Sequence, residues 1–352
     1  MLIAVTGHAG YVGAVLVPLL RAHGHRVRGI DSGLFDGCAA APVAAPDEAV
    51  RRDVRDIGPD DLAGCDAVVH LAALSNDPMG AIDPALTHAI NGRATVATAR
   101  AARAAGAARF VMASTCSVYG AAGDDVVDEE TPPAPLTAYA VSKIAAEAGI
   151  MALADGRFAP TALRFATAYG WSPMLRLDLV VNNLVAHAVQ SGRVLLKSEG
   201  RQWRPLVHVA DMARAILHVL ERPADEVAGL VVNVGSDAAT LRIVDLADAV
   251  AAAVPGARVE RAADAAPDRR SYRVGFSRLA RRLPGLSLGW SVAAGIADLH
   301  ARMAPLAPID VEGPGLNRLP RLRAAMATGA ISGDLRPVAY DRRWTESRQA
   351  SL

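Results

Sequence analysis

Leu2-Ile3-Ala4-Val5-Thr6-Gly7-His8-Ala9-Gly10-Tyr11-Val12-Gly13 opens the chain with an apolar run, a glycine-punctuated turn and the start of an Ala-rich helical pattern. The run Leu2–Val5 is too short for a helix and reads as a buried strand; Tyr11–His23 reads as the helix that follows. Glycines between a strand and a helix permit a tight turn. They also let backbone N–H groups approach a pyrophosphate at the positive helix end. The spacing here is Gly-x-x-Gly-x-x-Gly (Gly7, Gly10, Gly13), not the Gly-x-Gly-x-x-Gly of the common fingerprint, so context has to support it.

That context follows at once. Arg26–Ile30 reads as a second strand, and Asp31 ends it 18 residues beyond Gly13. A carboxylate there can accept both hydrogen bonds of an adenosine ribose and repels a 2′-phosphate. No Arg follows Asp31 immediately, so NAD is expected rather than NADP. Further strands are expected at Ala67–Leu71, Arg109–Ala113 and Thr161–Phe165, with helices at Ala85–Ala105 and Tyr139–Ala154. This alternation predicts a doubly wound parallel sheet of the Rossmann type, an α/β fold. After Gly170 the pattern loosens. Helices are expected near Leu179–Ser191, Asp211–Glu221 and Ile243–Ala253, and strands at Pro205–Val209 and Leu230–Val234. Residues beyond Pro255 carry more Pro, Gly and Arg and read as a smaller lobe.

Tyr139-x-x-x-Lys143 places both side chains on one helical face. A Lys beside a Tyr stabilises the phenolate and makes the Tyr a usable base. The Lys stands out on composition. Of 37 basic residues, 35 are Arg and only Lys143 and Lys197 are Lys. Arg replaces Lys on a solvated surface at little cost, but not where an ammonium is required. Lys197 has no comparable context and reads as structural.

These motifs together resemble the extended short-chain dehydrogenase/reductases, in particular the NAD-dependent nucleotide-sugar epimerase/dehydratase group. The likeness covers nearly the whole chain. Besides the glycine turn, Asp31 and the Tyr/Lys pair, it includes Asp53-Val54-Arg55-Asp56, His70-Leu71-Ala72-Ala73, Asn91, Ser114-Thr115-Cys116-Ser117-Val118-Tyr119-Gly120 and Arg204-Pro205-Leu206-Val207-His208-Val209-Ala210-Asp211. The resemblance implies that Gly7, Gly10, Tyr11, Val12, Gly13 and Asp31 bind NAD, with Asp53 and Val54 at the adenine. Leu71, Ala72 and Ala73 would run under the cofactor, with Asn91 and Ser114 near it. Thr115 would share a hydrogen bond with the reacting sugar oxygen, and Tyr139 would be the acid/base. Lys143 would hold the nicotinamide ribose and tune Tyr139. Ser75, Thr115, Asn183 and Arg204 are expected on the substrate side. Arg269 and Arg270 are candidates for its diphosphate, with a solvated basic loop as the alternative.

In the 4,6-dehydratases of this group the two positions after the Thr are typically Asp and Glu. Cys116 and Ser117 cannot readily replace two acids. The resemblance therefore points to an epimerase of a nucleotide-diphosphate sugar, acting at C4 through a 4-keto sugar. Three alternatives stay open: a dehydratase or net oxidoreductase, a 3,5-type epimerase using Cys116, and a non-catalytic NAD-binding regulator. Cys116 lies one position before the Cys of 3,5-epimerases. A one-residue shift on a strand points a side chain the other way, so it reads as a buried residue.

The implied organisation is a Rossmann domain over residues 1–172, with 205–254 returning to it in part. A substrate lobe would comprise 173–204 and 255–340, with a tail at 341–352. The net charge of +1 offers no nucleic-acid footprint or membrane-binding patch, and apolar stretches break well before a membrane span. Cys38, Cys65 and Cys116 show no metal spacing and fit a reducing cytoplasm. The nine histidines form no metal pattern either. His70 and His208 read as structural, and the basic stretch Asn317–Ala330 as amphipathic packing with a solvated arginine face. The family likeness implies a homodimer.

Overall fold

The computed structural model describes residues 1–266 and 271–338; the side chains of Lys197 and of residues 263–266 lie outside what is described. Seven strands form the central sheet: β1 (Leu2–Thr6), β2 (Arg26–Asp31), β3 (Glu48–Arg51), β4 (Ala67–His70), β5 (Arg109–Thr115), β6 (Ala159–Phe165) and β7 (Leu230–Val234). Their spatial order is β3-β2-β1-β4-β5-β6-β7, and every neighbour pair is parallel. The chain thus reverses its direction of progress across the sheet between β1 and β4. The crevice beyond their carboxyl ends is where such sheets bind ligands.

Helices cover both faces, which is why β6 is buried along its whole length. On one face α1 (Gly13–Ala22) packs through Leu16, Val17 and Leu20 into the same core as Met212, Ile216 and Leu220 of a later helix, Val209–Glu221. On the other, α2 (Ala94–Ala104) and α3 (Ala138–Met151) bring Ala99, Ala102, Ala146 and Ile150 onto Phe110, Met112 and Phe158. The expected helix over Ala85–Ala105 is a composite. A short turn at Pro84–Thr87 and a π-helical segment at His88–Arg93 precede α2.

A second core belongs to the smaller lobe. It joins α4 (Val180–Ser191), the Val209–Glu221 helix being α5, then α6 (Ile243–Ala253) and α7 (Val292–Met303), with α4, α6 and α7 packing through Val185, Leu246 and Leu299. Residues 205–254 are therefore shared. Val207, α5 and β7 enter the sheet's core, whereas Ile243, Leu246 and Val250 enter the second one. The last described helix, α8 (Arg318–Ala327), packs Leu322 against Leu74 and Met79 beside the β4 loop.

Candidate active site

A cleft of about 890 Å³ opens at the carboxyl ends of the strands, between sheet and lobe. Its floor is the glycine turn. Gly7 has φ +73°, and a Cβ there would stand 2.8 Å from the Ala72 nitrogen. At Gly13 a Cβ would meet the carbonyl oxygens of His8 and Gly7 at 2.4 and 2.5 Å. The turn is closed by the Gly10 N–H donating to Gly7 O at 3.0 Å. No side chain caps the start of α1 and no acidic residue occupies its first turn, so its end presents N–H groups to an anion. Tyr11 and Val12 line the cleft here; the Tyr11 hydroxyl donates to Gly170 O at 2.7 Å and ties the turn to the lobe.

Asp31 also lines the cleft, held by N–H groups of Ala9 at 3.2 Å and Gly33 at 2.8 Å. Two arginines come near it across β3, but Arg51 pairs with Asp36 at 2.6 Å and Arg52 with Asp61 at 3.0 Å. Asp53 and Val54 line the same end. The Asp53 carboxylate is gripped by its neighbour: Arg55 Nε and Nη2 donate to it at 2.8 and 2.6 Å. Burial alone would raise its pKa, but the Arg55 bonds outweigh burial and hold it below the usual range.

Leu71, Ala72, Ala73 and Ser75 run along the β4 end of the cleft. Asn91 is placed differently from the expectation. It is fully buried and does not line the cleft. Its amide oxygen accepts from Leu74 N at 2.8 Å and its nitrogen donates to Leu74 O at 3.0 Å, so it holds the loop rather than a ligand. Below the loop, His70 bridges the hydroxyls of Thr6 and Thr95 at 3.0 Å each. Burial, with the Lys143 charge, pushes its pKa down to about 3, so the ring is neutral.

Thr115, Tyr139 and Lys143 meet at the end of β5, all lining the cleft and all buried. Tyr139 and Lys143 sit one turn apart on α3, whose start is capped by Thr137. The Lys143 ammonium lies 5.9 Å from the Tyr139 ring centre and donates to Ala113 O at 2.8 Å. Burial rather than Lys143 dominates the Tyr139 pKa in this geometry. Burial drives that pKa well above its ordinary value; the hydrogen bond with Thr115 opposes it, and the Asp77 charge adds to it. Lys143 itself is lowered to about 8 by burial, partly countered by Glu147. Ser114 lines the cleft, but its hydroxyl donates to Glu147, which Arg164 grips at 2.7 Å.

Cys116 is fully buried, its thiol donating to Arg164 O at 3.1 Å, and burial drives its pKa far up. It does not line the cleft, whereas Ser117 does. All three cysteines are free and buried. On the lobe side Asn183 and Arg204 line the cleft. Asn183 donates to Leu177 O at 2.8 Å, and the Arg204 guanidinium stands 5.7 Å from the Tyr272 ring centre. Arg269 and Arg270 lie outside the described residues.

Sequence reasoning missed a buried cluster between the two sides. Arg176 is clasped by Asp178 at 3.0 and 2.6 Å and donates to Ser75 at 2.7 Å. Arg318, read as one of a solvated face, is instead buried at 2% exposure and lines the cleft. The pairing Arg176-x-Asp178 was the available signal; for Arg318 there was none.

The family model of the NAD dependent epimerase/dehydratase family matches residues 3–235. The chain belongs to that family. A UDP-glucose 4-epimerase of Corynebacterium glutamicum is 30% identical over 241 residues, which are 64% of this chain and 72% of the relative. A dTDP-glucose 4,6-dehydratase of Streptomyces griseus is 30% identical over 324 residues, 86% of this chain and 96% of the relative. Among solved structures, MoeE5 in complex with UDP-glucose and NAD matches with a TM-score of 0.75 at 28% identity, over 86% of this chain and 99% of that one. Members thus include both epimerases and dehydratases of nucleotide sugars. NAD is the cofactor, and the residues fit it: a glycine cradle that any Cβ would fill, an uncapped helix start, and a carboxylate at the end of β2. No described helix is long and apolar enough to cross a membrane.

Proposed function

We propose that this enzyme interconverts epimers of a nucleotide-diphosphate sugar at C4. The observation that carries the reading is the fate of the two positions after Thr115. Cys116 turns into the core with its thiol spent on Arg164 O, and Ser117 brings only a hydroxyl to the cleft. Thr115 and Tyr139 are left as the hydroxyl pair facing a reacting sugar oxygen.

NAD, when bound, supplies the carrier that takes up hydride from the sugar carbon and gives it back. Tyr139 accepts the proton of the C4 hydroxyl and later returns it, and the Thr115 hydroxyl keeps that oxygen aligned. The buried Lys143 ammonium favours the phenolate and is placed to hold a ribose hydroxyl. The 4-keto sugar must turn over to present its other face. Asn183 and Arg204 hold the diphosphate meanwhile, Arg204 through its guanidinium. The assignments of Gly7, Gly10, Tyr11, Val12, Gly13, Asp31, Asp53, Val54, Leu71, Ala72, Ala73 and Ser114 to NAD, and of Ser75 to the sugar, belong to the same reading, as does a homodimer.

Dehydration is the second reading. Asp77 favours it: the carboxylate lines the cleft, its charge reaches Tyr139, and it accepts from Thr137 at 2.7 Å. Incubating UDP- and dTDP-sugars with the enzyme in deuterium oxide separates the two by NMR. A C4 epimer without deuterium on carbon is the expected result, lost in Tyr139→Phe. Deuterium on carbon with loss of water would establish a dehydratase, and steady NADH formation a dehydrogenase. Turnover undiminished in Tyr139→Phe would remove Tyr139 as the acid/base. Light scattering tests the dimer: a mass of one chain rejects it.

A further inference from the structure

Residues 317–336 lie beyond the segment matched by the family model, yet Asn317, Arg318 and Leu335 line the cleft. Leu335 takes a left-handed conformation, φ 59°, and is buried against Val54. The segment is pinned across the cofactor end: Arg336 Nη2 donates to Asp56 at 3.0 Å, and Arg55 Nη1 donates to Asp334 O at 2.9 Å. It forms a strap over the adenosine side.

Within the strap Arg318 is anomalous. Its Nη2 donates to Met174 O at 2.9 Å, and its guanidinium lies 5.2 Å from the Phe35 ring centre. Its Nη1 is buried and, among the described residues, has no hydrogen-bond partner by geometry; the Cys38 thiol is the polar side chain beside the guanidinium. A buried guanidinium N–H left open is costly unless something accepts from it. Among the described residues no carboxylate forms an ion pair with it, although Asp178 attracts its charge. Asp178 is taken bidentately by Arg176, and burial keeps the neighbouring Cys38 a neutral thiol. Two guanidinium groups thus share one carboxylate. Burial and the Arg176 charge together push the Arg318 pKa down to about 10, so it stays a cation at neutral pH.

Its position decides what accepts. Met174, whose carbonyl it holds, packs with Ala14 in the first turn of α1, and Phe35 packs on the same cluster. Phe35 follows four residues after Asp31. Arg318 therefore stands between the uncapped start of α1 and the ribose-binding loop. We infer that Arg318 is a diphosphate ligand for the dinucleotide, delivered by the C-terminal strap, so that NAD is held from both sides: by N–H groups of α1 below and a guanidinium above.

The inference rests on NAD occupying the glycine cradle. Calorimetric titration of cofactor-stripped protein with NAD, and separately with UDP and dTDP, tests it. Wild type should bind NAD; absence of binding would remove the cradle assignment itself. Arg318→Met should weaken NAD about ten- to hundredfold, the loss of one charge-assisted contact. UDP and dTDP binding should be unchanged, and the cofactor-free protein should melt at the same temperature or higher. Arg318→Lys keeps the charge without the fork and should fall between the two, which decides the matter should the Met variant not fold. Unchanged NAD affinity in both variants overturns the assignment. Selective loss of UDP or dTDP binding would give the guanidinium to the sugar nucleotide instead. Equal weakening of all three ligands would make Arg318 part of the cleft's architecture only.

Discussion

Lys143→Met should make the cofactor-free protein more stable while abolishing turnover. Burial lowers the Lys143 pKa from 10.5 to about 8. At 1.36 kcal/mol per pH unit, keeping the ammonium in the fold at neutral pH costs about 3 kcal/mol. The substitution removes that cost and deprives Ala113 O of a donor, which takes back about 1 kcal/mol. The net gain is about 2 kcal/mol, or roughly 3 °C in melting temperature for a chain of this size. The pH dependence identifies the cause. Between about 8 and 10.5 the unfolded chain still holds a proton on this Lys that the folded chain has lost, so wild-type stability rises with pH across that window. The variant lacks this rise, and its advantage should be full at pH 7, gone at pH ~10 and slightly reversed above it. Melts of both cofactor-free proteins at intervals from pH 7 to 10.5 measure it. A variant less stable than wild type at pH 7, or a difference that does not change with pH, would refute the idea that the ammonium is held at a cost. Lys143→Arg should also lose turnover and NAD retention, because a planar fork cannot replace a compact ammonium at this depth.

Gly13→Ala sets a Cβ 2.4 Å from His8 O, against backbone that cannot yield. It should cost roughly 3 kcal/mol of stability and leave the purified protein without NAD, as read from melts and from dinucleotide released on denaturation. Cys116→Ser should retain turnover within a few-fold and keep the same pH profile, since the thiol faces Arg164 O away from the cleft; loss of epimerisation with an intact fold would reinstate it as a catalyst.

Much of the site was legible because it is local. The turn Gly7–Gly13, Asp31 and the Tyr139/Lys143 pair each lie within one strand end or one helix, where spacing alone fixes who faces whom. β3 escaped notice because Glu-Ala-Val-Arg is an edge strand with partly exposed residues and no apolar run. Asn91 was recognised as part of the site but given to the cofactor; its partner, Leu74, is set by the loop after β4 and by the π-helical turn that carries the amide. The Arg318 misreading has the same origin. A basic helix has a solvated face only if no other segment covers it, and the covering groups, Phe35, Cys38 and Met174, come from two distant parts of the chain. Likewise nothing in Asp53-Val54-Arg55-Asp56 announced that Arg55 would spend itself on Asp53 while also reaching Asp334.

The cleft draws its walls from Thr6 at one extreme and Leu335 at the other. During synthesis the glycine turn leaves the ribosome long before the strap. The first half of the sheet can therefore form well before the cleft has its full set of walls. Firm loading of NAD then waits for the strap to emerge, and a chain shortened before residue 317 should retain NAD poorly.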